Sequence, residues 1–169
     1  MTRTPCPLTA GDIAALLALQ AEVLDPSAVF AAAARLAAEC CGGYRLLTVL
    51  RYHEAAAEVE RIYSSDPAYP LGGRKRLNDF PSNHAAMAQG EVFLAATKAE
   101  VAASYADHER LFQMGITSIL NAPIRHAGRR LATLNLCGRE LQFDPGHIAA
   151  ARTIAAVLAP SLLAFPTSN

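Results

Sequence analysis

Apolar residues recur at helical spacing near both ends of the chain. The stretch "LTAGDIAALLALQAEVL" and the residues after it predict two N-terminal helices over residues 10–42, of which Asp25 and Pro26 begin the second. Near the other end, "FDPGHIAAARTIAAVLAPSLLAF" predicts a C-terminal helix over residues 144–165 with Asp144 as its N-cap. Amphipathic helices of this kind can pack side by side as one layer.

Between these helices the pattern changes to alternating polar and apolar positions, which is typical of strands. "YRLLTVLRYH" and "EVERIYSS" predict a first hairpin, and residues 116–125 and 131–138 predict a second one that turns in "HAGRR". A further short strand is predicted in "EVFLA". Because strands that meet as hairpins form an antiparallel sheet, we expect an α+β fold with the N- and C-terminal helices on one face of that sheet.

The segment between the two hairpins, residues 66–115, is irregular, and we call it the lid. It begins with "DPAYPLGGRKRLNDFPSN", which holds three prolines and two adjacent glycines and is too long for a simple turn. Short helical patterns follow in "SNHAAMAQG", with Ser82 or Asn83 as the expected cap, and in "TKAEVAASYADHERLFQMG". Since the terminal helices cover only one face of the sheet, we expect this irregular helical segment to cover the other.

Strand alternation also sorts the side chains by face. In the last predicted strand Leu134 and Leu136 oppose Thr133 and Asn135, so a leucine-rich face is available to the helical layer. The opposite face is polar, and polar groups beneath a lid are typical of a ligand pocket. The candidate ligand-binding residues on this face or in the lid are Arg61, Tyr63, Ser65, Tyr69, Arg74, Lys75, Asn121, Thr133 and Asn135.

Asn121 and Asn135 interrupt apolar strand sequences, where a buried amide needs hydrogen-bond partners. One interpretation is structural, because an asparagine can both donate to and accept from the irregular backbone above it. The other is that at least one amide contacts a ligand. The residues alone leave both open.

Composition limits the class of protein. At 169 residues the chain fits a single domain over residues 1–169, in which we expect residues 1–9 to be flexible. Fifteen Lys and Arg balance fifteen Asp and Glu, which disfavours binding to nucleic acid or to an anionic membrane. No apolar run reaches the length of about 18 residues that crosses a bilayer, and the N-terminus lacks an apolar signal segment. We therefore expect a cytoplasmic protein.

Two polar clusters in the lid suggest chemistry only weakly. Arg74 or Lys75 in "GGRKR" could contact an anion, although a solvated loop explains the same sequence. The lid also contains candidate metal ligands, but Asp107 is equally placed to cap a helix that begins at His108, and we expect no metal site. These candidates are His84, Asp107, His108 and Glu109.

In this order of elements the chain resembles a GAF domain over nearly its whole length. The resemblance lies in "FAAAARLAAECCGGYRLLTVLRY", in "MGITSILNAPI" and in "GRRLATLNLCGRELQFDPGHIAAARTIA", although Ala132 stands where many members have glycine. Among stand-alone bacterial GAF proteins, some carry a "YSS…YPxGGxK" segment. It is matched here by Tyr63, Ser64, Ser65, Tyr69, Pro70, Gly72, Gly73 and Lys75.

The resemblance implies an antiparallel sheet of about six strands, a pocket on one face, and helices on the other that often dimerise. Members bind cyclic nucleotides, tetrapyrroles, haem or small metabolites, so the fold does not choose the ligand. One stand-alone group is enzymatic, the free methionine-(R)-sulfoxide reductases, whose cysteines lie around the lid and pocket. This chain has no cysteine in residues 90–115, where that group has them, which disfavours both this activity and a covalent bilin link.

The sequence thus favours a sensory or regulatory ligand-binding module over an enzyme. The expected ligand is a small metabolite, anionic or amide-bearing, between sheet and lid. The alternative is a homodimeric structural or interaction module that associates through its terminal helices and whose pocket is vestigial. No cofactor can be named from the residues.

Overall fold

A computed structural model describes residues 7–79 and 81–164 of the chain. Its helices are α1 (Ala10–Glu22), α2 (Pro26–Cys40), α3 (Pro81–Gln89), α4 (Lys98–Ser104), α5 (His108–Gln113), α6 (Pro145–Val157) and α7 (Ala159–Ala164). Its strands are β1 (Leu46–His53), β2 (Glu58–Ser64), β3 (Arg74–Arg76), β4 (Phe93–Ala95), β5 (Ser118–His126) and β6 (Arg129–Gly138). The flexibility expected of residues 1–9 falls mostly on residues outside the described ranges.

The six strands form one antiparallel sheet in the order β3-β2-β1-β6-β5-β4. Both predicted hairpins are present, and β5 and β6 are joined by a two-residue turn at Ala127 and Gly128. The predicted α+β class is confirmed. Strand β3 was not predicted, because three consecutive basic residues carry no alternation signal.

The terminal helices begin where their caps predict. Asp25 accepts a hydrogen bond from the Ser27 N–H, with Pro26 in the first turn of α2. Asp144 forms a capping box with His147 at the start of α6. The C-terminal helix is divided into α6 and α7, with Pro160 in the first turn of α7.

The main core lies between the sheet and the terminal helices. Alanines in α6 let this helix approach the sheet closely, α2 packs beside α6, and α1 packs against both helices. Leucine and valine side chains of the sheet face them, as alternation predicts. The sheet contributes Leu47, Val49, Leu120, Leu134 and Leu136, and the helices contribute Phe30, Ala33, Ala37, Ile154 and Leu158.

Helices α6 and α7 together span Pro145–Ala164, which is long and apolar enough to cross a membrane by length and composition alone. Half of its apolar window is buried inside the fold. That burial is typical of a core helix, which passes the same test.

Strand alternation predicts that Tyr63 and Ser65 share a face with Arg61, and a β-bulge in β2 corrects this expectation. Val49 pairs with Tyr63 and the next residue, Leu50, pairs with Arg61, so Ile62 is the extra residue. The bulge shifts the alternation, and Tyr63 and Ser65 therefore do not share the face of Arg61. The Tyr63 ring packs instead on Phe30 in the helical layer, with 6.0 Å between ring centroids.

The lid covers the other face of the sheet and buries a second core. The cap expected from Ser82 or Asn83 is wrong, because α3 already begins at Pro81. Prolines are favoured in the first helical turn, where their missing N–H has no partner to lose. The second core contains Leu46, Tyr69, Ala95, Val101, Tyr105, Leu111, Ile116, Ile119 and Cys137.

Candidate functional site

A cavity of about 80 Å³ lies between the polar face of the sheet and the lid. Strands β1, β2, β5 and β6 form its floor, and the lid forms its roof. Its polar lining comes from Thr48, Tyr52, Arg61, Tyr69, Lys75, Asn83, His84, Tyr105, Asp107, Asn121, Thr133, Asn135 and Cys137. The remaining lining is aliphatic and comes from Leu46, Leu50, Val59, Leu77, Leu111 and Ile119.

Three neighbouring strands carry a chain of hydrogen bonds across the cavity floor. Asn121 and Asn135 are directly paired across β5 and β6, and Asn121 Nδ2 donates to Asn135 Oδ1. Thr133 Oγ1 donates to the same oxygen at 2.8 Å, and Asn135 Nδ2 donates to Thr48 Oγ1 on β1 at 3.1 Å. Both amides are buried, so this network satisfies groups that would otherwise be costly to desolvate.

The same network binds the lid. The Tyr105 hydroxyl donates to Asn121 Oδ1 at 2.5 Å, and Asn83 Nδ2 donates to that oxygen at 2.9 Å. Asn83 also donates to the Tyr105 hydroxyl at 3.2 Å. Of the two interpretations that the sequence left open, the geometry favours the structural one, because Asn121 joins the sheet to two lid residues.

Charged side chains gather at the other end of the cavity, around Tyr69. The Arg61 side chain is buried, with 7% of its surface exposed, and its guanidinium lies 3.8 Å from the centroid of the Tyr69 ring. Its Nη1 donates to the Pro70 carbonyl at 2.6 Å, whereas its Nε has no hydrogen-bond partner among the described residues. Burial lowers the pKa of Arg61.

Asp107, at the start of α5, also lies at the charged end of the cavity around Tyr69. Its Oδ2 accepts from Lys75 Nζ at 2.6 Å and from the Tyr69 hydroxyl at 3.3 Å. Burial opposes ionisation of the carboxyl group, but the bond and charge of Lys75 outweigh it and lower its pKa. Asp107 occupies the N-cap position of α5 without forming a side-chain cap bond, and its buried Oδ1 has no partner in the described part of the chain.

A third polar group holds α3 against the sheet. Arg130 on β6 pairs with both carboxylate oxygens of Glu54 at 2.8 and 2.7 Å, and its Nη1 lies 3.0 and 3.1 Å from the ring nitrogens of His84. The Tyr52 ring lies next to Arg130, with 4.9 Å between its centroid and the guanidinium carbon. Burial and the Arg130 charge lower the pKa of His84.

Six of the nine predicted site residues line the cavity: Arg61, Tyr69, Lys75, Asn121, Thr133 and Asn135. Tyr63, Ser65 and Arg74 do not. The Ser65 hydroxyl accepts from the Leu47 N–H at 2.9 Å, beyond the bulge. The Arg74 side chain is 43% exposed and lies 3.5 Å from Glu58 and Glu60 on the neighbouring strand.

The glycines of "GGRKR" accommodate Arg61. Gly72 has φ +75°, a conformation that favours glycine, and a Cβ on Gly73 would lie 2.9 Å from Arg61 Nη1. The backbone N–H of Gly72 donates to the carbonyl of Arg61 rather than to an open anion site. The local structure thus explains this motif through the positioning of an arginine.

Sequence reasoning missed three polar residues of the hydrogen-bond network in the cavity. Thr48 follows from the alternation of "YRLLTVLRYH", where it shares a face with Leu46 and Leu50. Asn83 was assigned to a helix cap, and Tyr105 carried no signal because it lies in an irregular stretch. Neither lid position can be derived from periodicity.

The thiols of Cys41 and Cys137 are not activated. Cys137 lines the cavity, and its complete burial raises its pKa to about 12. Cys41 lies in the helical core, where burial also raises its pKa to about 12. Within residues 7–79 and 81–164, no three His, Cys, Asp or Glu side chains are grouped as a metal site requires.

Comparisons with solved structures agree on the fold. The free methionine-R-sulfoxide reductase of Neisseria meningitidis, solved with its substrate, superposes with a TM-score of 0.70 at 16% identity, covering 97% of each chain. The GAF domain of an Acinetobacter phosphoenolpyruvate-protein phosphotransferase gives 0.69 at 12% identity, covering 92% of this chain and 95% of that one. A phycoerythrobilin-bound GAF domain of a cyanobacterial phytochrome gives 0.68 at 16% identity, covering 94% and 98%. At such identities the likeness concerns the fold alone.

A search among curated proteins found no match. The family model of the GAF domain, in contrast, matches residues 25–162, from the cap of α2 into α7. The match includes every strand and the whole lid. The chain therefore belongs to the GAF domain family, a family of small-molecule-binding sensory domains.

Proposed function

We propose that this protein is a sensory or regulatory module that binds a small anionic metabolite in the cavity between sheet and lid. The observation that carries the proposal is the buried Arg61 side chain, which lines the cavity and whose Nε has no partner among the residues that the structure describes. A buried guanidinium without a carboxylate partner is costly, and a bound anion would supply the missing charge and acceptor.

The charges around Tyr69 support an anion. Two cations that line the cavity, Arg61 and Lys75, lie near Tyr69 against one carboxylate, Asp107. This surplus is local, since the whole chain has no net charge. A surplus of cations within a low-dielectric cavity attracts an anionic ligand.

The size of the cavity limits the ligand. About 80 Å³ is well below the range of about 300 to 1,000 Å³ that is usual for larger ligands. A small metabolite suits it, whereas a tetrapyrrole such as the one bound by the phytochrome neighbour would require the lid to open.

A thermal-shift screen of small carboxylates, phosphates, amides and neutral metabolites tests the proposal. A ligand that binds only the folded chain raises the melting temperature in a saturable way. We expect saturable shifts from small anions and none from uncharged analogues of equal size. Equal shifts from both groups, or shifts from neither, would contradict it.

A dimeric interaction module is the second candidate, and α1 favours it. The outer face of α1 carries exposed alanines, and Leu17 is 46% exposed. An apolar face on the outermost helix suits association with a second copy. Light scattering at increasing protein concentration would show a dimer that Leu17→Glu dissociates, while Leu71→Glu at an exposed lid position leaves it intact. A monomer at all concentrations would exclude this candidate.

A thiol-dependent enzyme of the methionine sulfoxide reductase type is less favoured. Its support is the fold likeness to the Neisseria enzyme, and the raised pKa of Cys137 opposes it, because a thiolate is the reactive form. Cytoplasmic location remains part of our proposal, and the free thiols of Cys41 and Cys137 suit a reducing compartment.

A further inference from the structure

We infer that the ligand is a small carboxylate that also carries a hydrogen-bond donor, as α-hydroxy and α-amino acids do. This inference rests on the proposed function and specifies the ligand of the same cavity. It follows from two buried atoms of opposite hydrogen-bonding character. Arg61 Nε is a donor without an acceptor, and Asp107 Oδ1 is an acceptor without a donor, among the residues that the structure describes.

The two side chains belong to one site. Both line the cavity and both contact Tyr69, Arg61 at the ring face and Asp107 at the hydroxyl. Burial lowers the pKa of Arg61, and the charge of Asp107 is one of the smaller influences that oppose this shift. A ligand that fills the cavity would therefore lie beside both side chains.

The remaining hydrogen bonds of Arg61 and Asp107 fix the orientation of these two side chains. Arg61 Nη1 is held by the Pro70 carbonyl and by the close approach of Gly73, so the guanidinium is oriented before a ligand arrives. Asp107 Oδ2 is occupied by Lys75 and Tyr69, which leaves Oδ1 for another donor. A carboxylate facing Arg61 and a hydroxyl or ammonium group facing Asp107 would satisfy both atoms.

Water alone satisfies the hydrogen bonds without balancing the charge. A water molecule can accept from Arg61 and donate to Asp107, but the two cations Arg61 and Lys75 would still face the single carboxylate of Asp107. An α-hydroxy acid supplies both the donor and a net negative charge, whereas an α-amino acid supplies a carboxylate for Arg61 and an ammonium donor for Asp107 without net charge. The aliphatic lining next to this end, including Leu46, Leu111 and Ile119, suits a short neutral side chain on the ligand.

Calorimetric titration with four matched probes tests the inference: lactate, alanine, propionate and alaninol. Lactate and alanine have both groups, propionate lacks the donor, and alaninol lacks the carboxylate. We expect lactate, alanine or both to bind about ten times more tightly than propionate and alaninol, since each satisfied charged partner contributes about 1.5 kcal/mol or more. The stronger of the first two identifies the donor as hydroxyl or ammonium.

The variant Asp107→Asn isolates the donor contact. Its amide oxygen would turn to Lys75 and place an N–H where Oδ1 stands, so the preference for alanine over propionate should fall about tenfold. Glu109→Gln, two residues away and exposed, should retain that preference. Retained propionate binding by Asp107→Asn shows that the variant is folded, and a circular dichroism melt confirms it.

Other outcomes separate this inference from the proposed function. If propionate binds as tightly as lactate and alanine, the donor has no role and the inference is wrong, while an anion site remains. If none of the four probes binds but larger anions raise the melting temperature, the inference is also wrong. If no anion of the screen binds at all, the proposed function fails with it.

Discussion

Asn121 has more structural consequences than any other polar residue of the cavity floor. Its amide accepts from Tyr105 and Asn83 in the lid and donates to Asn135 in the sheet. Each of these partners is wholly or partly buried, so loss of the amide would leave unsatisfied groups in a low-dielectric site.

We expect Asn121→Ala to lower the free energy of unfolding by about 2 to 3 kcal/mol, because several buried polar groups lose their partner at once. Urea denaturation measures the change. Asn83→Ala removes only the lid side of the network and should cost about 1 kcal/mol. Equal stability of Asn121→Ala and the parent chain would refute the structural role of the amide.

His84 makes the attachment of α3 dependent on pH. Its folded-state pKa lies below the usual histidine value of about 6.5, because burial and the neighbouring Arg130 disfavour the imidazolium. The unfolded chain therefore binds this proton more readily than the folded chain. Stability from His84 is present above pH 6.5 and is lost as pH falls through 6.5 towards the folded-state value.

Melting temperatures measured between pH 7.5 and pH 5 should consequently fall more for the parent chain than for His84→Gln, which cannot protonate. The pH range is chosen to bracket the usual histidine pKa of about 6.5. An NMR titration of the His84 ring checks the cause directly. A titration midpoint above that of a histidine in an unstructured peptide would show that the sign is wrong.

At the scale of elements, the β5–β6 turn can be improved. Ala127 has φ +48° and Gly128 has φ +77°, the combination of a type I′ turn, in which the first position prefers asparagine or glycine. Alanine in this left-handed region costs about 1 kcal/mol. We expect Ala127→Asn to raise the free energy of unfolding by about 0.5 to 1 kcal/mol in urea denaturation.

Gly128→Ala is the matched opposite change, since it adds a second alanine with positive φ to the turn and should destabilise it. A lower stability for Ala127→Asn would show that the turn geometry is different from the one described.

Elements with strong periodicity were predictable and irregular ones were not. The capped terminal helices and both hairpins follow from apolar spacing and from Asp25, Pro26 and Asp144. The bulge at Ile62 was not predicted, because the local sequence "EVERIYSS" alternates without interruption. Only the pairing with β1 reveals the extra residue. That single residue accounts for the misplacement of Tyr63 and Ser65.

At the scale of the whole molecule, the sequence supplied the division into two faces. Leucines on alternate strand positions predicted which face meets the helices, and the polar positions predicted the cavity floor. The lid residues that cover the cavity could not be predicted, because the positions of Tyr105, Asn83 and Asp107 depend on how short lid helices pack. The network at Asn121 and the charged group at Tyr69 therefore needed the structure.

The amide network at Asn121 and the charged group at Tyr69 differ in what they contact. The amide network holds the lid to the sheet, and the charged group around Arg61 contains two buried atoms without partners in the described part of the chain. A ligand bound at Arg61 and Asp107 would add a bridge from β2 to the start of α5. Binding would thus stabilise the closed lid, which gives a sensory module a means of coupling ligand to conformation.

Calorimetric titration of Arg61→Gln tests whether an anion binds at Arg61. The anion with the largest thermal shift is titrated into the parent chain, into Arg61→Gln, and into Arg74→Gln as an exposed arginine control. We predict that Arg61→Gln weakens binding by about tenfold to a hundredfold, since a charge-assisted hydrogen bond contributes about 1.5 to 3 kcal/mol, while Arg74→Gln binds as the parent does. Unchanged affinity in a folded Arg61→Gln variant would contradict the account.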